Sequence, residues 1–401
     1  MKFGGTSLAD IKKINNVANI VAKESMNNKL IVVLSAMAGV TNQMQSYINE
    51  IDSYEEIEND LLLTSGENVT IAILSAILKK KNIKSIPLLG WQVPIITDNF
   101  HQKAKILNIN KNRVEEFLKN NDVIVLAGFQ GINTEGYITS LGRGGSDTTA
   151  VAIASAISAD RCDIYTDVEG VYSTDPNVVP NAKKIHKLAF EEMLEMSSTG
   201  AKVLHTRSVE LAMKNNLVLQ VLSSLTKKPG TLILDDKKLI EKEIVSGVSY
   251  STNESKITIS GIPDKPGISA KIFGLLASKN INVDMIVQNI SQDGVSANIT
   301  FTIPNTEISN AKKILENDLD FIDSQSLKMD EKISKISVIG MGMMSQSGVA
   351  QKMFETLAKN SINILAISTS EIKISVLIDE KYTNIAVQSL HNAYNLEYKD
   401  G

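Results

Sequence analysis

The sequence predicts an α/β domain with a largely parallel central sheet, followed by two ferredoxin-like βαββαβ modules. Three observations carry this expectation. Short β-branched runs alternate with helix-length amphipathic segments through the first two thirds of the chain. The last third holds two copies of one strand–helix–strand pattern. Finally, 401 residues exceed a usual single domain and suit roughly two or three.

Leu30–Leu34 and Val123–Ala127 are apolar runs bounded by turn residues, as expected of strands covered on both faces. Ile14, Val17, Ala18 and Val21 recur at helical spacing, predicting a helix that begins near Ala9, and Val69–Leu78 predicts another. The alternation closes with Leu217–Leu222 and Thr231–Leu234 around the turn Lys227-Lys228-Pro229-Gly230. The charged stretch Asp235–Glu243 reads as a linker or a solvated helix. Beyond it, Ile257-Thr-Ile-Ser-Gly261 leads to Pro266-Gly267-Ile268, a helix ending near Lys279, and Ile281-Asn282-Val283. Ile336-Ser-Val-Ile-Gly340 leads likewise to Ser347-Gly348-Val349, a helix ending near Lys359, and Ile362-Asn363-Ile364. Gly267 and Gly348, like Asn282 and Asn363, lie 81 residues apart. Each copy continues with an alternating strand, Ala297–Ile303 or Ile372–Ile378, and a further helix, the βαββαβ order. Two copies at so long a period are not a solenoid. Small paired modules without catalytic side chains suggest ligand sensing.

Composition excludes several function classes. Hydrophobic residues at 43% and charged residues at 21% are ordinary for a globular chain. The formal net charge of −4 argues against a strongly basic nucleic-acid binder. Cys162 is the sole cysteine, so no intramolecular disulfide forms, and a reducing compartment fits. Four histidines and one cysteine cannot supply a typical structural zinc site, and no metal ligands are assigned. His101, His186, His205 and His391 stand isolated and are read as structural. Trp91, beside Pro94, is read as core or turn packing. The longest uncharged span, Leu30–Asn49, is studded with polar residues and broken by Gly39, so no membrane-spanning helix is expected. The N-terminus lacks a secretory pattern, and the expected location is the cytoplasm.

Three glycine-rich stretches are candidates for chemistry. In Lys2-Phe3-Gly4-Gly5-Thr6-Ser7, glycines let the backbone approach phosphate oxygens while Lys2 adds a point charge; a plain strand-to-helix turn is the alternative. It is not a Walker loop, because that spacing is absent. In Leu141-Gly142-Arg143-Gly144-Gly145-Ser146-Asp147, a guanidinium between glycines is free to meet a carboxylate or phosphate with two parallel hydrogen bonds. Helix capping would account for Asp147 but not for Arg143. The third runs from Tyr165-Thr166-Asp167 through Gly170 and Tyr172 to Asp175-Pro176, after the short strand Cys162–Tyr165, where open α/β sheets place ligands. Ser35-Ala-Met-Ala-Gly-Val-Thr41 and Ser65-Gly66-Glu67 are weaker candidates, Glu67 reading equally as a capping residue.

Together these stretches resemble the aspartate kinase family. Lys2–Ser7, Ser35–Thr41, Ser65–Glu67, Leu141–Asp147, Thr166–Gly170, Thr174-Asp-Pro176 and Gly200-Ala-Lys-Val-Leu-His205 match in order. Asp264-Lys-Pro-Gly267, Val287-Gln-Asn-Ile290 and Ser368-Thr-Ser-Glu-Ile372 are similar to the family's paired ACT regulatory domains. The resemblance implies an amino-acid-kinase-type α/β sandwich at 1–236, a linker and first ACT repeat at 237–325, and a second at 326–401. The strand 244–250 would belong to either repeat. It implies ATP-dependent phosphorylation of the L-aspartate side chain to 4-phospho-L-aspartate with Mg²⁺. That is the first step toward lysine, threonine and methionine, inhibited by lysine and/or threonine. Lys2, Asp147 and Lys202 would be catalytic. Ser35, Thr41, Glu67 and Arg143 would hold aspartate. Lys2, Gly4, Gly5, Thr166, Asp167, Tyr172, Lys202 and Val203 would hold ATP. Asp264, Val283, Asp284, Gln288 and Asn289 would meet the effector, in a homodimer or homotetramer assembled through ACT domains.

The chemistry fits this inventory. A carboxylate nucleophile, with an ordinary pKa of about 3.9, is already ionised and needs no His, Cys or Ser to activate it. It needs charge neutralisation and in-line alignment. Three positions depart from the family pattern. The chain starts one residue before Lys2, where most of a strand is usual, so a short and less rigid first strand is expected. Asn177 stands where many members have Arg, and Thr206 where Pro is common. A non-catalytic amino-acid-sensing subunit and a kinase for glutamate or acetylglutamate are the alternatives.

Overall fold

All five residues of Val123–Ala127 are buried, and Val32–Leu34 are buried beside them. Such runs form interior strands because both faces are covered, each buried aliphatic side chain contributing about 1.5–3 kcal/mol. The computed structural model describes residues 1–51, 55–198, 203–226, 228–239, 243–291, 295–318 and 327–397. The chain divides into two units. The first comprises Met1–Val171, Lys184–Ser197 and Lys202–Ile240; the second comprises Tyr172–Lys183, Ser198–Ala201 and Glu241–Gly401.

The first unit is built on an eight-stranded sheet. Its order is Lys187–Ala189, Thr231–Leu234, Leu219–Ser223, Cys162–Thr166, Lys2–Phe3, Leu30–Leu34, Val123–Ala127, Ser85–Leu88. Every neighbouring pair is parallel except Leu219–Ser223 with Thr231–Leu234. The helix Ile11–Glu24 buries Ile14, Val17, Ala18 and Val21, the face read from the sequence. It starts two residues later than expected, because Asp10 caps it, accepting from the Lys13 amide at 2.7 Å, after a 3₁₀ turn at Gly5–Leu8. The two-residue strand Lys2–Phe3 is short, as the sequence suggests. It is nevertheless held on both sides, with Lys2 paired to Val33 and to Ile164, and the Phe3 ring stacked on Tyr165 at 4.5 Å.

The helices Glu56–Leu63 and Ser65–Lys80 are a further long apolar segment. They form a 25-residue stretch, Glu56–Lys80, long and apolar enough by length and composition to cross a bilayer. Half of its most apolar window is buried inside the protein, and Asp60, Thr64 and Glu67 are buried along it. Those are features of a core helix pair. Trp91 departs from expectation: it lies in a turn but is 47% exposed.

The second unit is a six-stranded antiparallel sheet. Its order is Ile286–Ile290, Ser296–Pro304, Gly247–Pro263, Leu327–Ile339, Lys373–Asp379, Ala366–Thr369. Two strands read separately from the sequence, Ile244–Tyr250 and Ile257–Gly261, are one bulged strand, Gly247–Pro263. Its first part pairs Gly247 with Ile339 and Tyr250 with Ile336; its second pairs Ile257 with Phe301. The second βαββαβ copy therefore takes its last strand from chain that precedes the first copy. Ile257, Ile272, Leu276 and Phe301 fill one core, and Val248, Ile336, Met353 and Leu390 another. The repeated glycines have a backbone reason. Gly267 at φ +96° and Gly348 at φ +94° are N-caps of the helices Ile268–Ser278 and Val349–Lys359 in the left-handed region, where a side chain is strained.

Tyr172–Lys183, in the loop after the strand Cys162–Thr166, packs within this second unit. Val179 and Ala182 join the core of the second repeat. Ser173 donates its amide to the Lys183 carbonyl, and its Oγ is hydrogen-bonded to His391 Nε2 at 2.9 Å and to the Leu396 carbonyl at 3.1 Å. His391, expected to be isolated, is thus partnered; burial lowers its pKa.

Candidate functional site

In the first unit, the strands Lys2–Phe3, Leu30–Leu34, Val123–Ala127 and Cys162–Thr166 all empty into loops at one edge of the sheet. Ligands bind parallel sheets at this carboxyl edge, where loops and helix N-termini meet. The loops approach one another closely. A Cβ on Gly5 would lie 3.0 Å from the Ala36 carbonyl oxygen, and one on Gly128 would lie 2.8 Å from the Ser146 side chain. Gly128 was not singled out from the sequence, although a glycine directly after a buried strand was the available signal.

Lys2 and Asp147 meet here. Nζ stands 2.6 Å from Asp147 Oδ1, both side chains being 12% exposed. The helix Gly145–Ala156 is preceded by Gly144 without a side-chain cap, so Asp147 in its first turn serves the ion pair and not capping. Arg143, four residues earlier, is exposed and has no hydrogen bond or ion pair among the described residues. Its loop is tight: a Cβ on Gly144 would fall 2.4 Å from the His205 side chain. His205 therefore abuts the Arg143 loop. Lys202, Gly200 and Ala201 lie outside the described residues, and Val203 is half-buried.

Glu67 opens the helix Ser65–Lys80 at 3% exposure. Its Oε1 accepts from the Ala36 amide at 3.0 Å, while Oε2 is buried with no hydrogen-bond partner. Burial pushes its pKa up to about 7, against the lowering effect of the Ala36 amide. A buried carboxyl oxygen without a donor is suited to a cation. Thr70 Oγ1 donates to the Ser35 carbonyl, fixing the start of that loop, and Ser35 and Thr41 are half-buried. Thr166 ends the strand Cys162–Thr166 and Asp167 follows it; the Thr166 carbonyl accepts from the Ser224 amide at 2.9 Å. Tyr172, expected to stand with them, belongs to the second unit, half-buried against the core of the second repeat.

A cavity of about 540 Å³ opens at the opposite edge of the sheet, lined by Met1, Ile31, Ile153, Arg161 and Cys162. It contains none of these candidate residues. Burial pushes the Cys162 thiol up to about 11, which leaves it unreactive.

In the second unit, Asp264 is exposed and Val283 packs on the first repeat's core. Gln288 and Asn289 are exposed on the edge strand Ile286–Ile290, where Gln288 Oε1 accepts from Ser269 Oγ. Asp284 is ion-paired with Lys335, whose side chain is 4% exposed and also meets Glu254 at 3.1 Å. Burial opposes the charge on Lys335, but Glu254 and Asp284 outweigh it and raise its pKa. Nothing in the local sequence marked Lys335, because its partners lie 51 and 81 residues away.

The chain matches two family patterns, the amino acid kinase family over residues 1–223 and the ACT domain over residues 256–319 and 336–394. It is 49% identical over 399 residues to an aspartate kinase of Pseudomonas putida, covering 99% of this chain and 97% of that protein. Its structure is similar to that of E. coli aspartokinase III in complex with aspartate and ADP, with a TM-score of 0.83, 26% identity and 98% of both chains covered. The same enzyme in complex with lysine and aspartate matches with a TM-score of 0.75, 27% identity and the same coverage.

Proposed function

The chain belongs to the aspartate kinase family, and on that premise we propose how its residues divide the work of phosphorylating aspartate. The enzyme transfers the γ-phosphoryl group of ATP to the side-chain carboxylate of L-aspartate and is regulated through its ACT domains. A carboxylate oxygen attacks the γ-phosphorus as the bond to the β,γ-bridging oxygen breaks, leaving ADP and an acyl phosphate. Both reactants are anionic, so neutralising charge is the protein's main task. Lys2, held by Asp147, faces the developing phosphoryl charge, and the glycine backbone at Gly4 and Gly5 lets the phosphates approach closely. Arg143 clamps the α-carboxylate, Glu67 accepts the α-ammonium, and Ser35 and Thr41 orient the reacting carboxylate. Thr166, Asp167, Lys202 and Val203 serve the nucleotide. Mg²⁺ supplies further charge neutralisation on the phosphates.

The observation that carries this reading is the grouping, on one sheet edge, of a guanidinium unpaired among the described residues, a buried carboxyl with an oxygen lacking a described donor, and a lysine–aspartate pair. Arg143→Ala is the test. It is expected to raise KM for aspartate about 100-fold, the scale of a lost bidentate charge-assisted pair, with KM for ATP changed less than twofold. Equal shifts in both constants, measured by coupled ADP release, would remove Arg143 from the aspartate site.

We assign the catalytic domain to 1–236 and the ACT repeats to 237–325 and 326–401, the start of the strand Gly247–Pro263 completing the second repeat and Tyr172–Lys183 grouping with the second unit. The effector is an amino acid bound around Asp264, Val283, Asp284, Gln288 and Asn289, in a cytoplasmic homo-oligomer paired through its ACT domains. Lysine is favoured over threonine, because the E. coli relative is complexed with lysine. Thermal-shift titration checks this: lysine at 100-fold its Kd should stabilise by about 2.7 kcal/mol. A shift with threonine alone would reassign the effector.

A further inference from the structure

Asp60 lies on the helix Glu56–Leu63 with 0% of its surface exposed. A carboxylate removed from water persists only where donors satisfy it. Three groups do so here. His101 Nδ1 donates to Oδ2 at 2.7 Å, the Gln102 amide lies 3.1 Å from both oxygens, and Ser140 Oγ donates to Oδ1. The donors come from two segments far apart in sequence, the loop following the strand Ile95–Thr97 and the last residue of the strand Ile138–Ser140. His101 is therefore not isolated, as the sequence suggested.

From Ser140 the chain runs directly into Leu141, Gly142 and Arg143. The same two segments are tied twice more. The Ala104 amide donates to the Ser140 carbonyl at 3.0 Å. Arg207 spans both, its Nη1 donating to the Leu141 carbonyl and its Nη2 to the Ala104 carbonyl, each at 2.8 Å. Gly142, at φ +74°, lies so close that a Cβ there would stand 2.9 Å from the Gln102 carbonyl oxygen. The exposed Arg143 side chain thus rises from a braced backbone. On its other side, the Asp60 carbonyl accepts from Thr64 Oγ1 at 2.8 Å and from the Thr64 amide at 3.1 Å, one turn before the helix that carries Glu67.

The geometry points to Asp60 as a positioning residue that fixes the spacing between Glu67 and Arg143, with Ser140, His101 and the Gln102 amide as its partners and Arg207 bracing the same two segments. Its effect falls on recognition of the amino acid's ammonium and α-carboxylate, and it touches neither reactant. This rests on the reading of Glu67 and Arg143 above. A small displacement of a clamp weakens binding of the group it holds and leaves remote groups alone.

The experiment is a double-mutant cycle between Ser140→Ala and Arg143→Ala, with Asp60→Asn as a third variant. Ser140→Ala should raise KM for aspartate about fivefold, and Asp60→Asn about 20-fold, with KM for ATP and kcat within twofold. In the Arg143→Ala background, Ser140→Ala should add nothing, since residues acting through one another are not additive. If Asp60→Asn does not fold, Ser140→Ala carries the test alone. The inference is overturned if Ser140→Ala lowers the melting temperature while leaving KM for aspartate unchanged, or raises it by the same factor with and without Arg143. An Arg143→Ala variant with normal KM for aspartate would instead defeat the underlying reading, so the two failures are distinguishable.

Discussion

Lys2→Met is expected to lower kcat about 10³-fold at saturating aspartate and ATP, with a smaller change in either KM. Its ammonium is largely withdrawn from water and rests 2.6 Å from Asp147. A charge in so dry a site stabilises a transition state far more than one in bulk solvent. Methionine keeps most of the unbranched side chain and removes the ammonium. Lys2→Arg should rescue little, because a planar, delocalised guanidinium does not reproduce the compact point charge that Nζ sets against Asp147. Single-turnover phosphoryl transfer, read as aspartyl hydroxamate, isolates the chemical step. A kcat within threefold of normal would place charge neutralisation elsewhere.

Glu67→Gln is expected to stabilise the ligand-free enzyme while raising KM for aspartate about 100-fold. The Glu67 pKa is raised from 4.5 to about 7 by burial. The unfolded carboxyl ionises first, so as pH rises from the unfolded value to the folded one, protons leave the unfolded chain and folding loses free energy. The cost accumulates between about pH 4.5 and 7 and is complete above it. It is on the order of 3 kcal/mol, at about 1.4 kcal/mol per pKa unit. Glutamine does not ionise. The variant should therefore melt several degrees higher at pH 8 and nearly unchanged at pH 4.5. In the parent enzyme, the substrate ammonium requires the ionised carboxylate. KM for aspartate should fall about tenfold per pH unit up to about 7, then level off. A flat KM profile from pH 5.5 to 8.5, with no stability gain in Glu67→Gln, would contradict both the buried charge and its role.

Much of the candidate site was legible because its signals are local. Lys2-Phe3-Gly4-Gly5, Gly142-Arg143-Gly144 and Ser65-Gly66-Glu67 each place a charge beside residues that let backbone approach closely, and that combination is read within a few positions. The helix face Ile14, Val17, Ala18 and Val21 and the offset linking Gly267 to Gly348 are likewise periodicities of the chain. Asp147 was ambiguous for the converse reason. Capping and ion pairing use the same residue type at the same helix position, and only the proximity of Lys2 separates them.

Residue order alone determined the α/β character of the first unit, the duplicated βαββαβ pattern, and the loops where charge and glycine coincide. These depend on side-chain periodicity and backbone freedom, which act between near neighbours. Tertiary structure decided that Asp60 joins His101 and Ser140, and that Lys335 joins Glu254 and Asp284. It also decided that Tyr172–Lys183 packs with the second unit and that Gly247–Pro263 runs as one strand through both repeats. Buried charges must find partners wherever the fold brings them, and no local rule states how far along the chain those partners lie.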